Sequence, residues 1–156
     1  MPDSIQEQII KKIALAISEV TTGNGYANTV ASVQRHNMLG MDLATVPAVL
    51  IREGTCAIDM EKSTYPHVRR RMELFIVIAH RQDEEHDARS GGEILNSLVA
   101  DIEQRLAASQ NWDGLAIMTM PPEYLEVELD AQNPHLTRGM RLETVYQHLR
   151  TNPYSQ

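Results

Sequence analysis

Val68-Arg69-Arg70-Arg71-Met72-Glu73-Leu74-Phe75-Ile76-Val77-Ile78-Ala79 is the stretch whose reading decides the fold. Val68, Met72, Leu74, Ile76 and Ile78 recur at even spacing, so in an extended chain they share one face. The other face begins with Arg69, Arg71 and Glu73 and continues with Phe75, Val77 and Ala79. A strand over 68–79 therefore has one wet face in its first half and two apolar faces in its second. A central strand, covered by helices on one side and by protein on the other, accounts for the change. That cover comes from the same chain or from a neighbour.

On the N-terminal side, Ser4 and Glu7 have the spacing of a capping box. Ile5, Ile9, Ile13, Ala14, Ile17 and Val20 then recur at helical spacing, which predicts a helix over 5–20 with Lys11 and Lys12 exposed. Thr21 to Gly25, with two glycines and an asparagine, ends it. A strand is predicted over 28–36, a loop over 37–45, and a second strand over 48–53 with Pro47 at its start. Residues 54–66 read as an irregular hairpin arm or as a loop, with strand character over 56–61.

On the C-terminal side, a polar acidic loop over 81–92 leads into a helix over 93–109. Its buried stripe is Ile94, Leu95, Leu98, Val99, Ile102 and Leu106. Strands are predicted over 115–120, 124–130 and 140–149, with a turn-rich segment over 131–139. The sum is a single α+β domain over 1–150: a mostly antiparallel sheet of five to six strands with two helices packed on one face. A polar tail over 151–156 is expected to be mobile.

The chain has 156 residues, 42% of them hydrophobic and 22% charged, the balance of a globular domain. No apolar stretch is long enough for a transmembrane helix, and Met1-Pro2-Asp3-Ser4 does not open a secretory signal. Cys56 is the only cysteine, which excludes an internal disulfide and a zinc site built on two or more thiolates. A net charge of −7 argues against nonspecific nucleic-acid binding, which needs a basic surface. It does not oppose DNA that merely slides past. With one Phe, one Trp and five Tyr, a base-stacking platform is not expected.

The most catalytic-looking cluster is His80, Asp83, Glu84, Glu85, His86 and Asp87. Two imidazoles and several carboxylates can ligate a metal, yet their spacing matches no metal motif, and the run reads as solvated surface. No phosphate-cradling loop, dinucleotide fingerprint or nucleophile elbow is present. The expectation is no catalytic residue, no metal site and no cofactor. Arg69-Arg70-Arg71 is the only basic run; on a strand the outer two share a face and Arg70 points the other way. Arg69, Arg71 and Arg81 are candidate interface residues, toward phosphate or an acidic neighbouring subunit; the alternative for the run is an exposed strand start balanced by nearby carboxylates.

Several stretches carry a resemblance across nearly the full chain. These are Tyr26 after the leading helix with the strand Val30 to Arg35, and Pro47-Ala48-Val49-Leu50-Ile51-Arg52-Glu53-Gly54. The long strand Arg70 to His80 follows, then the helix Ile94 to Trp112 with its Trp-Asp-Gly turn, and the closing Val145-Tyr146 strand. The pattern resembles the tail terminator (tail-completion, minor tail) proteins of long-tailed bacteriophages. The ending Arg150-Thr151-Asn152-Pro153-Tyr154 is similar to that of several head–tail connector proteins.

The resemblance implies a structural virion protein, not an enzyme: a homo-oligomeric ring, usually a hexamer, at the head-proximal end of the tail. Such a ring seats on the tail tube protein, ends tube polymerisation and joins the tail to a neck or connector protein. DNA passes through its lumen without sequence-specific binding. It is assembled in the host cytoplasm and uses no membrane. Polar loops at 42–45, 61–67 and 82–90 are placed to reach an adjoining ring. The nearest alternative is another head–tail connector or neck protein. A small metal-dependent hydrolase built on His80 and His86 is the reading from a different class.

Overall fold

The strand at the heart of the molecule runs His67–Arg81, one residue beyond its predicted start and two beyond its predicted end. The computed structural model describes residues 2–35, 45–81, 89–125 and 135–156. Within them the chain forms α1 (Ile5–Ser18), β1 (Ser32–Arg35), β2 (Ala48–Ile58), β3 (His67–Arg81), α2 (Gly91–Ala107), β4 (Ala116–Thr119), β5 (Glu123–Leu125) and β6 (His135–Leu149). The strands make one six-stranded sheet in the order β1-β2-β3-β6-β4, with β5 also paired to β6. Only β1 and β2 pair in parallel; the other pairings are antiparallel. Two helices over a mostly antiparallel sheet make this an α+β fold.

The period-two pattern of β3 determines which face the helices take. Met72, Leu74, Ile76 and Ile78 are buried beneath them, opposite Thr144, Leu142 and Met140 of β6 and Glu53, Ile51 and Val49 of β2. Helix α1 supplies Ile5, Ile9, Ile10, Ile13 and Ile17 to this layer, and α2 supplies Ile94, Leu95, Leu98, Val99, Ile102 and Leu106. Each fully buried side chain of this size is worth about 1.5–3 kcal/mol relative to exposure, so the layer holds the helices on the sheet. On the opposite face Ala48, Leu50 and Ala79 are buried while Phe75 and Val77 are half-buried. Cover at the Ala79 end thus exists within one chain.

Both helices begin with a serine cap. Ser90 and Glu93 form a complete capping box on α2, so that helix starts at Gly91, two residues before the predicted start. On α1 the Ser4 hydroxyl accepts from the Glu7 backbone amide, while the Glu7 carboxylate turns away to Arg35. After α2 the chain reverses through Trp112, Asp113 and Gly114 at φ 50°, 59° and 84°. Left-handed backbone at a tryptophan is costly. Here the indole is buried and its N–H donates to the Thr119 hydroxyl at 2.8 Å, which holds the turn.

Three expectations change. The first strand is only Ser32–Arg35, because residues 28–31 are engaged by α2 and by the 45–47 segment rather than by the sheet. The final strand begins at His135 instead of 140, since β3 extends to Arg81 and pairs with it along its whole length. The tail is tied down: Ile5 donates to the Pro153 carbonyl at 3.1 Å and Leu149 to Ser155 at 3.0 Å. All but the last residue of the loop predicted over 37–45, the acidic run Asp83 to Asp87 and residues 126–134 lie outside the described residues.

Candidate functional site

At the end of the sheet away from the helices, β2 and β3 continue as a hairpin arm. Its turn is pinned by Ser63, whose hydroxyl donates to the Asp59 carbonyl (2.6 Å) and accepts from the Arg69 amide (3.0 Å). The C-terminal end of β6 is bound to its base, with the Arg150 amide donating to the Pro66 carbonyl at 2.8 Å. Among the described residues no helix beyond the start of α1 covers this end of the sheet. Ile58, Met60 and Tyr65 are consequently 46, 75 and 86% exposed. Such a cluster of exposed apolar side chains is unusual on a free surface.

Arg70 and His148 lie at the arm's base, on the helix-side face of the sheet. The Arg70 Nε–H donates to His148 Nε2 at 3.0 Å, and His148 Nδ1 contacts the Leu149 carbonyl at 2.8 Å. A carbonyl only accepts and an arginine N–H only donates, so the two contacts fit the tautomer with its proton on Nδ1. The pair lines two open recesses. One, of about 340 Å³, is formed with Ile58, Met60, Tyr65, His67, Val68 and Arg150. The other, of about 250 Å³, lies under the first turn of α1 with Ser4, Gln6, Cys56 and Tyr146. There the Tyr146 hydroxyl donates to Gln6 Oε1 at 3.2 Å and meets the Cys56 sulfur at 3.5 Å. Burial, and then the Cys56 contact, pushes the Tyr146 phenol above its usual range, so it stays protonated. The first recess has cationic and apolar walls with no carboxylate among its lining residues, a surface suited to an acidic or aromatic group.

The face of the sheet opposite the helices is a lattice of charges. Arg71 lies 3.6 Å from Glu143, and Arg141 bridges Glu73 at 3.4 Å and Glu123 at 2.7 Å. The Thr55 hydroxyl donates to Glu73. Exposed pairs of this kind contribute about 0–1 kcal/mol each, so they orient the face more than they stabilise it. Under α1, Arg35 chelates both Glu7 oxygens (2.8 and 3.1 Å) and reaches Glu53 at 3.2 Å. The Arg35 bond holds the Glu7 carboxyl below its ordinary range, against a smaller opposing effect of burial.

The candidate interface arginines fall on one face, as alternation requires, but not in one place. Arg71 is exposed and paired to Glu143, while Arg69 is half-buried, its buried Nε without a hydrogen-bond partner among the described residues. Arg81 is exposed at the far end of β3, roughly 33 Å along the strand from Arg71 at about 3.3 Å per residue. The residues that do come together are Arg70, His148, Arg150 and Tyr65. Alternation had put Arg70 on the face away from Arg69 and Arg71; what brings it to His148 is the β3–β6 register. Of the acidic cluster only His80 is described; it is buried on the helix side of β3, opposite Leu136.

No group of three or more metal-ligating side chains forms among the described residues. No helix among them is long and apolar enough to cross a membrane. No protein-family model matches the chain, and no curated protein matches it.

Proposed function

We propose that this chain is a structural assembly subunit that forms a ring, the tail terminator of a long-tailed bacteriophage. The ring caps the tail tube at its head-proximal end and joins it to the neck. The observation that carries the assembly part is the hairpin arm, which exposes Ile58, Met60 and Tyr65 above a cationic base. An isolated globular chain gains nothing from that arrangement, whereas a subunit uses it to bury apolar surface against a neighbour. The resemblance across the segments 30–35 and 47–54, the long strand, the second helix and the closing strand supports the identity of the assembly. With a net charge of −7 the protein repels the phosphate backbone, which suits a lumen through which DNA moves without sticking.

The test is co-assembly. Purified protein mixed with polymerising tail tube protein should bind tube ends and halt elongation, giving short capped tubes in electron micrographs. Capture by a portal or neck ring with no effect on tube length would reassign the chain to the connector class. Unchanged tubes together with no binding to either partner would contradict both readings.

A further inference from the structure

Resting on the ring reading, we propose that the hairpin-arm tip of one copy docks on the β4–β5 edge of the next, a head-to-tail contact that closes the ring. Nine large hydrophobic side chains are exposed among the described residues, and seven of them fall in two patches. Ile58, Met60 and Tyr65 form the arm tip; Ile117, Met118, Met120 and Tyr124 form the edge, on the far side of β6 from the arm. Among the described residues the edge strands β4 and β5 are paired only to β6, and an edge strand offers its backbone groups to a partner.

The two patches differ in charge. Residues 58–70 with Arg150 carry Lys62, Arg69, Arg70 and Arg150 against Asp59 and Glu61, within a chain of net charge −7. Residues 106–125 contain Asp113 and Glu123 and no lysine or arginine. These two carboxylates bind Lys12 and Arg141, yet their side chains remain 82 and 63% exposed and can accept further bonds. An arm therefore complements an edge better than it complements another arm. That asymmetry selects a heterologous contact over a two-fold one, and a heterologous contact propagates until it closes.

A crosslinking series tests the pairing, in a Cys56→Ser background that removes the native thiol. Tyr65→Cys and Met118→Cys together, treated with a flexible bis-maleimide, should give a covalent ladder ending at the ring size. Tyr65→Cys mixed with Met118→Cys should give only dimers, and each alone should stay monomeric on a denaturing gel. Met60→Asp, at a site 75% exposed, should weaken self-association at least about tenfold while leaving unchanged the melting temperature measured at dilutions where both proteins are dissociated. A dimer end product from Tyr65→Cys alone would overturn the proposal in favour of arm-to-arm contact. An oligomer in solution that yields no ladder would overturn this contact and leave the ring intact. A chain monomeric at every concentration would instead remove the ring reading itself.

Discussion

Asp101 is a carboxylate buried on α2, and it holds the segment leading into β1. It accepts from the Asn28 amide at 2.9 Å, the Asn28 side chain at 2.8 Å and, more weakly, the Ala27 amide at 3.4 Å; Asn28 also reaches Ser97 at 2.9 Å. Asn28 is itself buried, so removing the acceptor would strand its donors away from water. Asp101→Ala should destabilise the fold by about 2–3 kcal/mol, measured by chemical denaturation, whereas substitution of exposed Glu61 should cost little. Nothing in the sequence marks this contact, because Asp101 and Asn28 are 73 residues apart and only the docked α2 joins them. The Arg70–His148 pair was hidden for the same reason. Alternation tells which face Arg70 occupies, but the β3–β6 register decides who meets it there. Local chemistry was legible where it is local: the Ser4 cap falls where its spacing predicts. The Ser90–Glu93 box was equally readable, and Gly91-Gly92 disguised it as loop.

At the scale of elements, the arm is shaped by Gly54, which sits at the irregularity in β2 between Glu53 and Cys56. A Cβ there would lie 2.7 Å from the Phe75 ring and 3.3 Å from the Glu73 carbonyl, so the ring needs the glycine beneath it. Gly54→Ala should cost about 1–3 kcal/mol. In a Phe75→Ala background most of that cost should vanish, a coupling that a double-mutant cycle measures directly. Both helices and the central strand were legible because their periodicities of 3.6 and 2 extend over many residues. Short strands were not. β1 spans four residues, too few for a period to declare itself, and the start of β6 was masked by turn-forming composition at Asn133-Pro134. Its extension to His135 follows from pairing with β3, a non-local cause that no window of sequence contains.

For the whole molecule, one apolar layer between sheet and helices is closed within the chain, while a second set of apolar side chains on the arm and the β4–β5 edge is left open. The first set accounts for folding. The second is exposed among the described residues, and it is what makes assembly the central claim. Arg69 and Arg71 were only candidate contact residues in the sequence; Arg71 is paired to Glu143, and the exposed apolar arm tip beside them is the anchor on which the assembly reading rests. The composition could not show this, since exposed methionines and tyrosines look the same in sequence as buried ones. The most direct test is the mass of the purified protein in solution, by light scattering or native mass spectrometry over a wide concentration range. The account predicts one discrete closed species, a hexamer at six times the 17.6 kDa chain mass. A monomer at every concentration, with the arm and edge intact, would contradict it.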